Sequence, residues 1–411
     1  VFSNALLTTT IASGLFFAVT SIYNQEIAGM LGYEGFGMVI IYVAAILMID
    51  SVTAILFARL RFQGRPIKFA LLKSIKILSE TTFNLLLFFI IPTYLVDLPD
   101  SFLLKFISPA PDFTYILFAI FLSALVSLIV FIPDLVKVSF RFSPALWKQM
   151  MTYSLPIMVA GLPGILNDFI DRPLFQFFSP EGNSWESDLG VFQAGVKISM
   201  LMMLFIQMFR FAAEPFFFER ESHKGSKQLY AEVMEHFTAF GILIFLGIMF
   251  YIDIIQYLIG RDFREGLSIV PIMLISYLLL GISFNVSMWY KLSGKTNYAI
   301  IITAAGLPVT VAVNVMFMPL FSYHAAAWGH LLSYLVMLAV SVYLGNKHYP
   351  IPYNWKRICT YAAIGLALYF AATLLPLESL IIKYLVRTTL ILIYIFIYLK
   401  IQKISIWKLK F

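Results

Sequence analysis

Apolar runs of about twenty residues recur along the whole 411-residue chain, and this recurrence limits the possible folds more than any other feature. A bilayer core of ~30 Å requires ~20 apolar residues per helix. The chain is 61% hydrophobic and 12% charged, with a mean hydropathy of +0.87. Soluble domains, in contrast, are roughly 45–50% apolar and about 25% charged. The sequence therefore predicts an all-α fold, a polytopic transmembrane helix bundle.

The apolar runs define about twelve predicted spans, separated by short polar loops. The spans cover residues 4–23, 36–57, 68–95, 113–136, 149–178, 190–216, 229–252, 266–290, 297–317, 323–344, 356–375 and 381–400.

The net charge of +7 is unevenly distributed between alternate loops. One set of loops holds 21 of the 29 Lys and Arg residues, whereas the other set holds only Lys105, Arg261, Arg264 and Lys383. Loops rich in Lys and Arg stay in the cytoplasm. Both termini are therefore predicted to be cytoplasmic, and the basic balance reflects topology, so we expect no nucleic-acid partner.

Neither a cofactor nor a catalytic group is predicted. The single cysteine, Cys359, excludes a disulfide framework and a thiolate metal site. The five histidines have no ligand spacing, and the chain contains no GxxxxGK[ST] motif for ATP. We expect no metal, no cofactor and no enzyme activity.

Two basic and aromatic segments divide the chain, namely FRFSPALWKQM (140–150) and HYPIPYNWKRI (348–358). We predict a four-span part at 1–140, a six-span part at 141–347, and a final helix pair with a basic tail at 348–411. Because the chain starts at Val1 and enters a span at once, we expect it to be an N-terminally incomplete version of a longer protein.

The fifth predicted span contains three ionisable residues in the stretch NDFIDRPLFQFF (167–178), namely Asp168, Asp171 and Arg172. Charges inside a membrane are rare and usually face a bundle interior or a wet cavity. The charges share one helix face with small residues at 161 and 164. Pro173 predicts a kink at Arg172, because the residue before proline avoids the α region.

Other charges lie in the second, third and sixth predicted spans. Lys197 follows the loop after the fifth span, and by residue count it lies at the same depth as Arg172, about 10 Å below the membrane surface. We predict that Arg172 and Lys197 share one chamber and bind substrate. Asp50 and Glu80 are further carboxylates at mid-depth or lower, and Arg210 with Glu214 forms a charged pair near the cytoplasmic end.

A structural alternative remains open for these charges. Asp171 could pair with Lys197, Asp168 with Arg172, and Arg210 with Glu214, as ion pairs that only hold helices together. We favour this alternative for Arg210 with Glu214 and for Asp50, and leave Glu80 open. Arg387 is expected to snorkel to the membrane surface.

The segment YSLPIMVAGLPGILNDFIDRPLFQFF, followed by LGVFQAGVKISMLMMLFIQMFRFAAEPFFFER, resembles a known pattern. It is similar to Wzx-like oligosaccharide flippases of the multidrug/oligosaccharidyl-lipid/polysaccharide (MOP) exporter superfamily. The resembling features are Leu155-Pro156, Asp171-Arg172, the run from Gly190 to Lys197, and Ala213-Glu214-Pro215. The basic stretch at 49–73 also resembles a cytoplasmic loop of this family. Pro173 is a departure, because the family usually continues the helix there.

The resemblance implies a MATE/Wzx-like fold with two lobes around a central cavity and an extra C-terminal helix pair. Residues 1–140 would be an N-lobe without its first two helices, and 141–347 the C-lobe. The implied function is a flippase in the bacterial cytoplasmic membrane. It would move undecaprenyl-diphosphate-linked oligosaccharide to the outer leaflet for surface polysaccharide synthesis. Arg172, Lys197, Asp171, Asp168 and Glu80 would bind this substrate, and polysaccharide assembly proteins are conceivable partners.

Two other functions stay open. A cation-coupled multidrug exporter of the same fold would use Asp50, Glu80 and Asp168 as coupling carboxylates, but a cation-lined chamber disfavours cationic drugs. A membrane-embedded sugar polymerase or ligase would need a long outer loop, whereas the longest predicted one covers only 96–112. Arg210 and Glu214 remain candidates for ion coupling or for structure.

Overall fold

The protein is described by a computed structural model that covers residues 1–90, 112–136, 141–180, 182, 184–221, 223, 225–375 and 379–402. These residues are almost entirely helical, and no strand occurs among them. The chain packs as two compact units, Val1–Leu155 and Pro156–Phe411.

Unit 1 consists of five helices and the first half of a sixth. They are α1 (Phe2–Ile22), α2 (Asn24–Met30), α3 (Gly37–Phe62), α4 (Pro66–Leu85, followed by a π-helical turn at Leu86–Ile90), α5 (Phe113–Leu135) and α6 (Pro144–Phe169), which continues into unit 2. Helix α3 packs against the other four complete helices, and α4 also packs along α5. One apolar core lies where α3, α4 and α5 meet, around Leu56, Phe57 and Phe131.

Unit 2 contains the remaining helices. They are α7 (Asp171–Phe178), α8 (Trp185–Arg220), α9 (Ser226–Phe250), α10 (Ile252–Ile255), α11 (Val270–Val286), α12 (Met288–Leu292), α13 (Tyr298–Phe321), α14 (Tyr323–His348), α15 (Trp355–Leu374) and α16 (Leu380–Ile401), with 3₁₀ segments at Gln256–Leu258 and Arg261–Ile269. Helix α14 packs between α11 and α13, and α8 packs on α11. The final pair, α15 and α16, packs on α9, where the Tyr394 hydroxyl donates to the Ala239 carbonyl at 3.1 Å.

Ten of the described helices are long and apolar enough to cross a membrane. Each lies within about five residues of a predicted span, because an apolar run satisfies its backbone in a bilayer only by forming a helix. The two other predicted spans, 68–95 and 149–178, correspond to α4 and to α6 with α7, which are helical but more polar. Residues 91–95 lie outside the described residues. The chain is therefore a multi-pass helical membrane protein.

Helix α8 begins at Trp185, five residues before the predicted start at 190. The Ser184 hydroxyl accepts a hydrogen bond from the Ser187 amide, and Glu186 and Asp188 lie in the first turn. A serine cap and early carboxylates both stabilise a helix N-terminus. The polar segment predicted as a loop after the fifth span is therefore partly helical, because its residues from Trp185 onward belong to α8.

Candidate functional site

Three helices of unit 2 bring a set of polar side chains together in an otherwise apolar interior. Asp171 lies seven residues before the end of α7, Asn314 seven before the end of α13, and His330 seven after the start of α14. At 1.5 Å per residue, all three lie about 10 Å from those helix ends. Because α13 and α14 are joined directly through Ser322, Asn314 and His330 lie at the same distance from this turn.

Asp171 is the centre of this layer. One of its carboxylate oxygens accepts a hydrogen bond from Asn314 Nδ2 at 2.7 Å, and the other lies 2.5 Å from His330 Nε2. The Asp171 and His330 side chains are only 2% and 5% exposed. A buried carboxylate is stable only when donors surround it. The three residues therefore have to be placed together when unit 2 folds.

A second polar layer lies one helical turn deeper. Asn167 Oδ1 accepts hydrogen bonds from the Thr310 hydroxyl at 2.7 Å and the Ser333 hydroxyl at 3.0 Å. Asn167 near the end of α6 and Asp171 at the start of α7 are four residues apart, as are Thr310 and Asn314 on α13, so the members of each pair lie on one face. The two layers together, called the polar ladder below, are Asn167, Asp171, Thr310, Asn314, His330 and Ser333.

Local sequence features position the ladder. Pro173 lacks an amide hydrogen for the Phe169 carbonyl, so the regular helix ends at Phe169 and resumes at Asp171. The break thus precedes Arg172 by two residues, whereas a kink at Arg172 was predicted. Because Gly329 has no side chain, α14 can approach α13 closely: a Cβ at this position would lie 3.3 Å from Asn314 Oδ1. Phe192 of α8 stacks on the His330 ring with centroids 6.2 Å apart.

The ladder is suited to holding helices or a proton rather than to binding a large solute. A carboxylate and an imidazole in contact can share a proton, but their burial excludes a sugar or a phosphate. Among the residues that the structure describes, no group of three metal-ligating side chains occurs.

Lys197 lies in a separate groove of unit 2, with a volume of about 490 Å³. The groove runs between α8 and the 3₁₀ segments that precede α11, and Lys197 with Gln193 supplies its polar side chains. It is lined by Gly190, Gln193, Ala194, Lys197, Ile198, Leu201, Ile255, Leu258, Ile259, Gly260 and Phe263. An exposed ammonium group therefore lies in a groove whose other lining side chains, apart from Gln193, are apolar.

Glycines hold the two walls of this groove close together. A Cβ on Gly195 would clash with the Gly266 carbonyl oxygen and lie 2.7 Å from the Ile269 side chain, and one on Gly190 would lie 2.8 Å from Phe263. Side chains at these positions would push the Arg261–Ile269 segment away from α8. The glycines of the run from Gly190 to Lys197 thus define the shape of the groove.

The other predicted substrate residues are distributed over both units. Arg172 is exposed and lies over the Phe169 ring at 4.5 Å, and it does not line the Lys197 groove. Asp171 belongs to the ladder, so its partners are His330 and Asn314 rather than Lys197. The side chain of Asp168 lies outside the described residues. Glu80 is half-buried on α4 of unit 1, where its carbonyl accepts from Asn84.

Measured from the ends of their helices, Lys197 and Arg172 do not lie at the equal depths that were predicted. Lys197 lies twelve residues after the start of α8, about 18 Å along the helix, whereas Arg172 lies six residues before the end of α7, about 9 Å. The difference arises because α8 begins five residues earlier than the composition suggested. The positions of the two residues along their helices therefore do not support a chamber shared by Arg172 and Lys197, which stays a prediction.

The remaining charged candidates have ion-pair partners. Asp50 contacts the Lys76 ammonium group at 2.5 Å. Glu214 lies 3.6 Å from Arg210 and also accepts from Lys291, which the sequence did not suggest as a partner. All three residues of the second cluster are partly exposed.

Arg387, which was expected to snorkel, has acceptors at and beyond the end of α9. Its guanidinium donates to Asp253 at 2.7 Å and to the Phe250 carbonyl at 2.6 Å, and Lys383 lies 2.7 Å from the same carboxylate. Burial raises the pKa of Asp253, but the hydrogen bonds from Lys383 and Arg387 outweigh burial and leave its pKa below the usual range.

Of the ladder residues, only Asp171 was predicted from the sequence as part of a site. The other ladder residues are of types that occur in many structural contexts, so none of them indicates a site by itself. They are Asn167, Thr310, Asn314, His330 and Ser333. One signal was available. Pairs of polar residues three or four apart on apolar helices indicate a shared buried face, and α6–α7, α13 and α14 each carry such a pair.

No protein-family model and no curated protein matches this sequence. Solved structures nevertheless share its fold. The lipid II flippase MurJ, in its inward closed conformation, superposes with a TM-score of 0.69 at 13% identity, over 97% of this chain and 83% of that chain. A multidrug resistance MATE family transporter of the MOP superfamily, in an outward-facing conformation, gives 0.56 at 15% identity, over 88% and 79%.

A MOP superfamily transporter from Pyrococcus furiosus, described as having a binding pocket of reverse polarity, gives 0.58 at 13% identity, over 88% of this chain and 79% of that chain. At these identities the likeness concerns the fold alone. The chain has the fold of MurJ and the MATE transporters, as the resemblance predicted.

Proposed function

We propose that the protein is a flippase that moves a lipid-linked oligosaccharide from the cytoplasmic to the outer leaflet of a bacterial cytoplasmic membrane. The proposed substrate carries undecaprenyl diphosphate, and the product serves surface polysaccharide synthesis. The observation that carries this proposal is the groove of unit 2, in which Lys197 is the one cation among mainly apolar lining residues.

The chemistry of the groove matches the two halves of such a substrate. A diphosphate requires a cation that stays charged, and an ammonium group supplies one as a point charge. The isoprenoid chain requires apolar contacts, which Ile198, Leu201 and Leu258 offer beside Lys197. A site for a water-soluble anion would not require these apolar side chains.

The fold supports the same substrate class. MurJ is named a lipid II flippase, and the present chain superposes on it over 97% of its length. Flipping makes and breaks no covalent bond, so it requires no nucleophile or cofactor. Its partners would be the lipid-linked oligosaccharide, the bilayer and, in the cell, polysaccharide assembly proteins, with no role for nucleic acid.

The remaining predicted substrate residues enter the proposal in different roles. Arg172 is exposed and always charged, so in this proposal it contacts a phosphate outside the groove through its planar fork. Asp171 acts indirectly, because it anchors the first turn of α7 that carries Arg172. Asp168 and Glu80 remain proposed substrate contacts.

A multidrug exporter of the same fold is the second candidate, because MATE transporters share this architecture. Such a protein would use carboxylates to bind protons, sodium ions or cationic drugs. Asp50 and Asp171, however, already contact Lys76 and His330. Lys197 would also repel a cationic drug from the groove. We therefore rank the exporter below the flippase, and a sugar polymerase or ligase lower still.

The test measures surface glycan display, normalised to the membrane level of the protein, in a strain that depends on this chain. Lys197→Ala should reduce display by about tenfold or more, since a charge-assisted contact contributes about 1.5–3 kcal/mol. Lys197→Arg should retain most of it. Lys295→Ala, which removes a cation outside the groove, is the matched control.

Normal display with a well-expressed Lys197→Ala protein would refute the assignment of the groove. Unaltered glycan with lost resistance to cationic drugs would instead support the multidrug exporter.

A further inference from the structure

A second pocket lies in unit 1, at the end of the bundle where α3 and α5 finish and α4 starts. It has a volume of about 200 Å³. Arg59, Gln63, Arg65 and Asp134 form its polar wall, and Leu56, Leu60 and Phe131 are the apolar part. Neither the groove of unit 2 nor the polar ladder includes any of these residues.

The charge of the wall is positive. Asp134 is its one acidic residue, and Lys68 neutralises it with contacts of 2.7 and 3.0 Å to the two carboxylate oxygens. Arg59 and Arg65 are then left as two cations around one small pocket. A guanidinium offers a planar fork of donors that matches a phosphate group.

The Arg59 guanidinium is held in position before any ligand arrives. It lies over the Phe2 ring at 4.5 Å, and the Arg59 side chain is half-buried. A ring contact of this kind orients the cation but leaves its hydrogen-bond donors available. The Lys68–Asp134 pair fixes another part of the polar wall. Two of the four polar residues of the wall are therefore held in place before a ligand arrives.

The apolar wall indicates what kind of phosphate the pocket takes. Leu56, Leu60 and Phe131 are each at most 3% exposed and belong to the core of unit 1. They lie on helices α3 and α5, which are long and apolar enough to cross a membrane. Basic pockets between the ends of membrane helices are typical sites for lipid headgroups.

We propose that this pocket binds the phosphate-bearing headgroup of a membrane lipid, in the leaflet at the basic end of unit 1. Arg59 and Arg65 contact the phosphate oxygens, and the acyl chains extend along the apolar surfaces of α3 and α5. The site does not depend on the flippase proposal, since any anionic phospholipid satisfies its chemistry.

The test compares lipid adducts on the purified full chain by native mass spectrometry. The probes are phosphatidylglycerol and phosphatidylcholine with the same acyl chains. The wild-type protein should retain phosphatidylglycerol in preference to phosphatidylcholine. Arg59→Gln with Arg65→Gln should weaken phosphatidylglycerol binding about 25-fold, roughly fivefold for each basic side chain removed.

The matched control is Arg61→Gln with Lys73→Gln. It removes the same charge from the same segment, but neither residue lines the pocket, because Arg61 lies over Phe69 and Lys73 over Phe57. The control should bind phosphatidylglycerol as the wild type does.

Equal losses in both double variants would overturn the proposal and indicate diffuse attraction by the basic loop. The same holds if the wild type shows no preference between the two lipids. Competition by millimolar inorganic phosphate would indicate a free-anion site and would also overturn it. A glycan-display defect does not affect this result, so failure here is distinct from failure of the flippase.

Discussion

The carboxylate of Asp171 lies 2.5 Å from Nε2 of His330, and the two residues are 159 positions apart in the chain. With Asn314 as a further donor, this contact fastens α7 to α13 and α14. A buried polar contact that joins three helices of unit 2 is therefore made by a residue that the sequence suggested for substrate binding. Its structural role can be tested separately from transport.

Asp171→Ala should destabilise the purified protein strongly, by about 3–5 kcal/mol, because it leaves His330 and Asn314 without their buried acceptor. Asp171→Asn should cost less, since it keeps an acceptor oxygen of the same shape. The measurement is the Tm in detergent. Arg172→Ala, at the exposed neighbouring position, serves as the control and should change Tm little. Equal Tm values for Asp171→Ala and Arg172→Ala would show that the ladder does not stabilise unit 2.

Gly195→Ala should disrupt the packing of α8 on the Arg261–Ile269 segment, because the added methyl group meets the Gly266 backbone and the Ile269 side chain. Overpacking of this kind costs about 1–3 kcal/mol. Gly247→Ala is the control, since no atom lies within 4 Å of a Cβ there. Thermal unfolding of both variants distinguishes the two positions. If Gly195→Ala were tolerated as well as Gly247→Ala, α8 could not approach the Arg261–Ile269 segment as closely as the structure shows.

Asp253 should make the protein sensitive to acid. The contacts from Lys383 and Arg387 hold its pKa in the folded protein below the ordinary value of 3.8. A lowered folded-state pKa contributes stability that is present above the unfolded pKa and disappears as the pH falls through the folded pKa. The Tm difference between wild type and Asp253→Asn should therefore be largest near neutral pH and vanish in acid. A difference that is constant from neutral pH down to pH values well below 3.8 would contradict this linkage.

The charge asymmetry of the loops predicts the orientation of the chain. In a Cys359→Ser background, cysteine at Ser184 should react with an impermeant thiol reagent in intact cells, whereas cysteine at Gln63 should react only after permeabilisation. Both positions are exposed, so accessibility within the protein does not limit labelling. The opposite labelling pattern would reverse the orientation.

The helices of this protein were largely predictable, whereas the candidate site was predictable only in part. Apolar runs determine spans directly, so Phe113–Leu135 was placed within one residue. Lys197 stood out because a charge in an apolar run is conspicuous. The ladder is different: Asn314 and His330 acquire their role only when α13 and α14 pack beside α7, and no local pattern specifies that pairing.

Cap chemistry explains another difference. Ser184 with Glu186 and Asp188 reads as a polar loop in terms of composition, but the same residues form a cap and a first helical turn. Similarly, Lys291 became a partner of Glu214 only through the packing of distant segments. Residue type alone could not distinguish this cluster from the simple pair of Arg210 and Glu214.

The polar ladder has a consequence for how the chain is made. Asp171 is synthesised 143 residues before Asn314 and 159 before His330. At a synthesis rate of about 5–20 residues per second, the interval is on the order of 10–30 s. During that time the nascent chain holds a carboxylate in or near the membrane without its donors. Nonsense variants that terminate before α13 never supply those donors, so cells should remove the truncated chains by proteolysis even though every earlier span is intact.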